Sequence, residues 1–178
     1  MSTEPVRLAA PLYEDEEVQA VLEVMRSKNV TQGERVFRLE REFREYVQAP
    51  ESHAAAMVNS GSSANLLCAA LWAHMAEKYD DKRREVIMPA LTWSTTVAPF
   101  IQHGFKPVFV DVGPDYCMDP AEAENAINED TFGIVPVHLL GNPCDMTAFS
   151  RMKREYRIHM LEDCCEAQGA TRDGLSVG

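Results

Sequence analysis

"EVIMPALTWSTTVAPFIQHGFKPVFVDV", residues 85–112, holds a short apolar run, a helical stretch and a second apolar run in that order. A strand that returns through a helix pairs parallel to its predecessor, because an antiparallel partner is reached through a tight hairpin instead. The same alternation continues on both sides. "AAAMV" (54–58) and "SSANLLCAALWAHMAEKY" (62–79) come before it. "DPAEAENAI" (119–127), "FGIVPVH" (132–138), "DMTAFSRMKREY" (145–156) and "HMLED" (159–163) come after. The expected fold is α/β, a mostly parallel sheet covered on both faces by helices and therefore three layers deep.

Upstream of the alternation the pattern is purely helical. Residues 15–28 carry Val18, Val21, Leu22 and Met25 at helical spacing, with acids in the first turn and bases in the last, as the helix dipole favours. "NVTQG" breaks that period, and residues 34–47 resume it through Val36, Leu39, Phe43 and Val47. Residues 1–50 are thus expected to form a helical arm and residues 51–178 the α/β part. "RDG" (172–174) reads as a turn into an unfinished hairpin, and a chain that stops at Gly178 with no closing helix reads as truncated.

Composition bounds the function. A chain of 178 residues, 46% apolar, suits one soluble domain or part of a larger one. A net charge of −11 without a Lys/Arg cluster argues against nucleic acid, whose phosphates are bound by basic surfaces that release counterions. The cysteines at 68, 117, 144, 164 and 165 show no CxxC spacing, so reduced thiols in a cytoplasmic protein and no metal site are expected. No basic segment precedes an apolar leader and no long apolar run occurs, so no membrane span is expected.

Five places could carry chemistry, all where a strand candidate ends. "NSGSSANLL" puts Ser60, Gly61, Ser62 and Ser63 at a helix start, where N–H groups and hydroxyls can hold a phosphate; taken alone it also reads as a Ser N-cap with a Gly turn. Trp93 follows "EVIMP", where an indole can stack on a planar ligand or pack in the core. Asp111 reads as the cap of the turn after "PVFVD", and His138 as a hydrogen-bonded structural residue. Glu162 and Asp163 adjoin on a strand, so they point to opposite faces and only one of them reaches a cleft. A buried acid there needs a cationic or strongly donating partner. Phosphate donors, a flat aromatic and an acid at one address match a planar, phosphorylated ring with a protonated nitrogen. Pyridoxal phosphate is such a molecule.

The blocks "VNSGSSANLL", "MPALTWSTTVAPFIQHGFKPVFVDV", "PVHLLGNPCDM" and "LEDCCEAQGATRDGLSVG" resemble, in order and spacing, the DegT/StrS family of pyridoxal-phosphate enzymes, the sugar aminotransferases and their dehydratase relatives. The resemblance covers essentially the whole chain. It implies the aspartate-aminotransferase-like fold type I, of which this is the N-terminal part, and a homodimer with active sites at the subunit interface. It also implies nucleotide-diphosphate-linked keto-sugar substrates and an amino donor such as glutamate. By the same resemblance Gly61, Ser62 and Ser63 match the phosphate loop, Trp93 the ring-stacking aromatic, and Asp163 the acid that pairs with the pyridine nitrogen. Glu166 stands where the family often has His or Gln, and with "TWSTTV" it is similar to the subgroup containing 3-dehydratases.

One departure bears on activity. In the family a Schiff-base Lys, or His in the dehydratases, lies a few tens of residues beyond the "DGLSVG" turn, after Gly178. Lys28, Lys78, Lys82, Lys106 and Lys153 do not fall at that place. Three readings follow: an aminotransferase loading pyridoxamine phosphate from its donor, a pyridoxamine-phosphate-dependent 3-dehydratase with His at that position, or an inactive short homologue that binds a phosphorylated ligand or a partner. The 178 residues alone are expected to be inactive, and to associate or dissolve poorly through an uncovered strand edge and apolar helix faces.

Overall fold

The two periodic N-terminal stretches form helices α1 (Asp15–Ser27) and α2 (Glu34–Tyr46) in the computed structural model, which describes residues 13–178. At the start of α1 the Glu14 N–H donates to Glu17 Oε2 at 2.7 Å, the reach-back half of a capping box. Lys28 ends it in the left-handed conformation, with φ at 59°. Neither helix buries a residue, and Val21 and Met25 of the expected stripe lie exposed. Among the described residues nothing covers that stripe.

The alternating region forms α3 (Gly61–Lys78), β1 (Glu85–Pro89), α4 (Ser94–Gln102), β2 (Lys106–Val110), α5 (Pro120–Ala126), β3 (Thr131–Ile134), α6 (Met146–Glu155) and β4 (His159–Met160). The sheet has the order β2-β1-β3-β4 and every pairing is parallel. Because successive side chains on a strand face opposite ways, Val86 and Met88 of β1 enter one core layer and Ile87 the other. The first layer packs Trp72 of α3 and Phe100 of α4 against Phe132 of β3. The second packs Ala123 of α5 with Phe149 and Met152 of α6 against Ile134. Three layers therefore follow from the period-two pattern of the strands, as expected.

Two expectations need correction. "AAAMV" is not a strand, because an extended run becomes one only when a neighbour takes up its N–H and C=O groups. No described strand lies beside it, and the Met57 N–H donates to Glu40 Oε1 of α2 at 2.9 Å instead. The hairpin read as unfinished is closed: β5 (Thr171–Arg172) pairs antiparallel with β6 (Leu175–Ser176). Asp173 and Gly174 turn it at φ 54° and 80°, the two positive values that a type I′ turn requires.

Gly133 of β3 leaves the notch that Trp72 fills. A Cβ there would meet Trp72 Cη2 at 2.5 Å and the backbone His159 O at 2.9 Å. Neither can withdraw, one being wedged among aromatic rings and the other belonging to the adjacent strand. Gly133→Ala is expected to destabilise the protein by about 1–3 kcal/mol, as overpacking does. Urea unfolding measures this, and an unchanged midpoint would show that the indole moves aside freely.

Candidate functional site

The C-terminal ends of β1, β3 and β4 and the N-terminus of α3 converge on one cleft of about 400 Å³, the place where open parallel sheets take ligands. β4 runs in effect beyond its two formal residues. Asp163 N–H donates to Pro136 O at 3.0 Å and His138 N–H to Asp163 O at 3.1 Å, so the strand stays paired with the chain after β3 up to Asp163. That pairing fixes which acid faces which way. Asp163 turns to the cleft with 6% of its surface exposed, while Glu162 turns away.

Neutral donors hold the Asp163 carboxylate. Thr96 Oγ1 donates to Oδ2 at 2.8 Å, Asn65 Nδ2 to the same oxygen at 3.0 Å, and Cys165 N–H to Oδ1 at 3.2 Å. Burial alone pushes this carboxyl up, but the hydrogen bonds from Asn65, Cys165 and Thr96 outweigh it and hold the group below its ordinary value. The site therefore contains a buried anion. Among the described residues no Lys, Arg or His side chain lines the cleft, so the charge has no cationic side chain there to meet it.

The other walls are an anion-accepting helix end and an indole. α3 starts at Gly61 with no acid in its first turn, and its positive dipole end opens on the cleft. Ser62 lines the cleft and its hydroxyl donates to Thr95 Oγ1 at 3.0 Å. Trp93 caps α4 and stands 71% exposed over the opening, which removes the core reading of this residue. Glu166 lines the far side, its Oε2 accepting the Leu140 N–H at 2.7 Å.

Of the residues expected at a phosphate-and-ring site, Gly61, Ser62, Trp93, Asp163 and Glu166 come together in this cleft. Ser63 does not line it. Its N–H is drawn to the Ser60 cap at 3.2 Å, so the N-cap reading accounts for that residue. Asp111 does not line the cleft; its Oδ1 accepts the Val112 N–H at 3.0 Å, whereas the following turn is held by Asp115, whose Oδ1 accepts the Cys117 N–H at 3.1 Å. His138 is wholly buried and structural: Nδ1 accepts the Cys144 N–H at 3.0 Å, which leaves the ring proton on Nε2, 3.2 Å from Glu162 Oε2.

His138, Glu162 and Cys164 bring one potential metal-ligating atom each within 4.8 Å. The Nε2 proton aims at Glu162, so this trio is arranged as a hydrogen bond rather than as three lone pairs directed at a cation. The thiols beside the site are not poised as nucleophiles. Burial and then nearby carboxylates push Cys164 up to about 12, and burial and then Asp163 push Cys165 up to about 11.

Asn65, Thr92 and Thr96 escaped the sequence reading. A signal existed: Asn65 is a lone polar residue in the run "ANLLCAAL", four residues after Gly61, and Thr96 lies three after Trp93. Polar groups at those helical offsets share a face with the residues already suspected.

A family model, that of the DegT/DnrJ/EryC1/StrS aminotransferase family, matches residues 11–178. The chain is 38% identical over 173 residues to the GDP-4-keto-6-deoxy-D-mannose 3-dehydratase of Yersinia pseudotuberculosis, covering 96% of this chain and 43% of that protein. It is 32% identical over 179 residues to the UDP-4-amino-4-deoxy-L-arabinose–oxoglutarate aminotransferase of Shewanella sediminis, covering 100% and 44%. Among solved structures, the E. coli GDP-4-keto-6-deoxy-D-mannose-3-dehydratase with bound hydrated PLP matches with a TM-score of 0.88 at 35% identity, covering 96% of this chain and 43% of that one. The chain thus spans less than half the length of these relatives.

Proposed function

Because this chain belongs to the DegT/DnrJ/EryC1/StrS aminotransferase family, we propose that it supplies the cofactor cleft of an enzyme that uses pyridoxal or pyridoxamine phosphate to modify a nucleotide-linked keto-deoxysugar. The observation that carries the reading is the buried, anionic Asp163 in a cleft lined by no cationic side chain among the described residues. Such an acid suits a ligand that brings its own positive charge, and a protonated pyridine nitrogen is one. The residues present fit the rest of the molecule. Ser62 and the N–H groups at the start of α3 suit a phosphate, and the exposed Trp93 indole suits the face of a ring.

When bound, pyridoxal phosphate supplies an electron sink and an amino-group carrier. The chain's own part is orientation and electrostatics. Asp163 keeps the ring nitrogen protonated, Trp93 covers one face, and Gly61 with Ser62 anchors the phosphate end. Glu166 is assigned to the cofactor's surroundings. Residues 1–50 are assigned to an arm and 51–178 to part of the cofactor domain, in a cytoplasmic homodimer. The exposed leucines Leu66, Leu67 and Leu71 of α3 support a covering partner, since a helix apolar all round is ordinarily buried.

Two reactions are open to such a site. One is transfer of an amino group, from a donor such as glutamate, to the keto-sugar. The other is removal of the 3-hydroxyl, which the higher identity to the Yersinia 3-dehydratase than to the Shewanella aminotransferase favours. Incubating the full-length protein with cofactor, glutamate and a nucleotide-linked 4-keto-6-deoxysugar, followed by mass spectrometry, separates them. An aminated sugar identifies the first and loss of the hydroxyl the second. Absence of both with every such sugar nucleotide tried would sink the proposal.

Trp93 offers a check that needs no substrate. Trp93→Ala is expected to weaken pyridoxal phosphate about tenfold, the loss of one stacked face. Equilibrium dialysis reads the change; unaltered affinity would mean that the ring lies elsewhere.

A further inference from the structure

Oδ2 of Asp163 already accepts two hydrogen bonds, from Thr96 Oγ1 at 2.8 Å and Asn65 Nδ2 at 3.0 Å, whereas Oδ1 accepts one, from the Cys165 N–H at 3.2 Å. Each carboxylate oxygen carries two lone pairs, so Oδ2 is filled, and Oδ1 keeps one that a strong donor can take, the only other neighbour among the described donors being the weakly donating Cys165 thiol. The Thr96 hydroxyl has a single proton, and an ionised carboxylate cannot donate, so that proton belongs to Asp163. The 3.2 Å contact between Thr92 Oγ1 and Thr96 Oγ1 must then run from Thr92 to Thr96. Thr92, Thr96 and Asp163 form a chain of hydrogen bonds with one direction. Asn65 comes from α3 and Thr96 from α4, so the two grip one oxygen from different helices, and the carboxylate cannot rotate without breaking both contacts.

We infer that Asn65 and Thr96, with Thr92 behind Thr96, are positioning residues that fill Oδ2 of Asp163 and so dedicate Oδ1 to the N–H of a protonated ring nitrogen. The inference rests on the cofactor reading above and adds to it which oxygen takes the ring and what selects it. Thr96 borders the cleft, but its one hydroxyl proton is committed to Asp163, so it acts on the ligand through the acid. Turning the carboxylate would aim a filled oxygen at the ring, losing the short charge-assisted bond while leaving the stacking and phosphate contacts in place.

The test compares pyridoxal phosphate with its 1-deaza analogue, which has C–H where the ring nitrogen stands, as ligands of the full-length protein. The wild type should prefer pyridoxal phosphate. Thr96→Val and Asn65→Ala should each weaken pyridoxal phosphate about tenfold and leave the analogue nearly unchanged, closing the gap between the two ligands. Thr96→Ser, which restores the hydroxyl, should restore the gap. Thr92→Val should narrow it by a smaller factor. Equal losses for both ligands, or no loss for either, would overturn the positioning role; if Asp163→Asn still closed the gap, the cofactor reading would survive. A wild type that binds both ligands alike, with Asp163→Asn unchanged, would instead overturn the cofactor reading itself and this inference with it.

Discussion

Asp163→Ala is expected to weaken pyridoxal phosphate binding by at least about a hundredfold. A buried charge pair that loses one partner typically forfeits about 3–5 kcal/mol, and each 1.4 kcal/mol is about a factor of ten in affinity. Here the acid is buried, and the other carboxylate that lines the cleft, Glu166, is held by the Leu140 N–H instead of the Asn65 and Thr96 donors. Asp163→Asn, which keeps the volume, should lose nearly as much, separating charge from packing. Unaltered affinity in both variants would end the assignment of this acid to a ring nitrogen.

The same substitution carries a pH signature in the cofactor-free protein. The folded carboxyl titrates below its unfolded value because the hydrogen bonds from Asn65, Cys165 and Thr96 outweigh its burial. A group with a depressed folded value adds stability above its unfolded value, about 3.9 for Asp, and loses it as pH falls through the folded one. The wild type should therefore exceed Asp163→Asn in urea unfolding at pH 7, and the difference should shrink as acid protonates the carboxyl. A difference that persisted unchanged at pH 2 would point to packing instead.

Trp72→Ala is expected to destabilise the fold by about 3–5 kcal/mol, lowering the melting temperature by on the order of 10 °C. The Trp72 ring lies edge-on to Phe100 at 5.3 Å and tilted on Phe132 at 5.5 Å, joining α3 and α4 to the sheet through one side chain. Its loss leaves a cavity that the Cβ-less Gly133 beneath it cannot fill. The two positions should be strongly coupled. Part of the cost of Gly133→Ala should vanish in the Trp72→Ala background, since the ring that the new methyl would strike is gone while the contact with the backbone His159 O at 2.9 Å remains. Additive effects, measured by calorimetry on both single variants and the pair, would contradict this packing. Because α3 also presents Ser62 and Asn65, Trp72 ties the stability of the core to the placement of the cleft.

Local chemistry made the architecture legible. Apolar runs such as "EVIMP" and "KPVFV", separated by "STTVAPFIQ", point to strand, helix and parallel strand because each run supplies the partner that the other needs. Trp93 and Asp163 could be suspected for the same reason: both follow strand candidates, and parallel sheets collect ligands there. "AAAMV" misled because strand identity depends on a neighbour, and its Met57 N–H found a carboxylate from α2 instead.

The sequence by itself determined the order of elements from α3 to β4, the alternation that makes three layers, and an address shared by a helix start, an indole and an acid. Only the tertiary structure decided which serine faces the cleft, that Glu162 turns away to His138, and that Asn65 and Thr96, separated from Asp163 by 98 and 67 residues, fill one of its oxygens. The physical reason is range. A periodic pattern is read over a few neighbouring residues, whereas a hydrogen bond needs two atoms within about 3 Å, and for residues so far apart in sequence only the packing of α3 and α4 on the sheet brings that about.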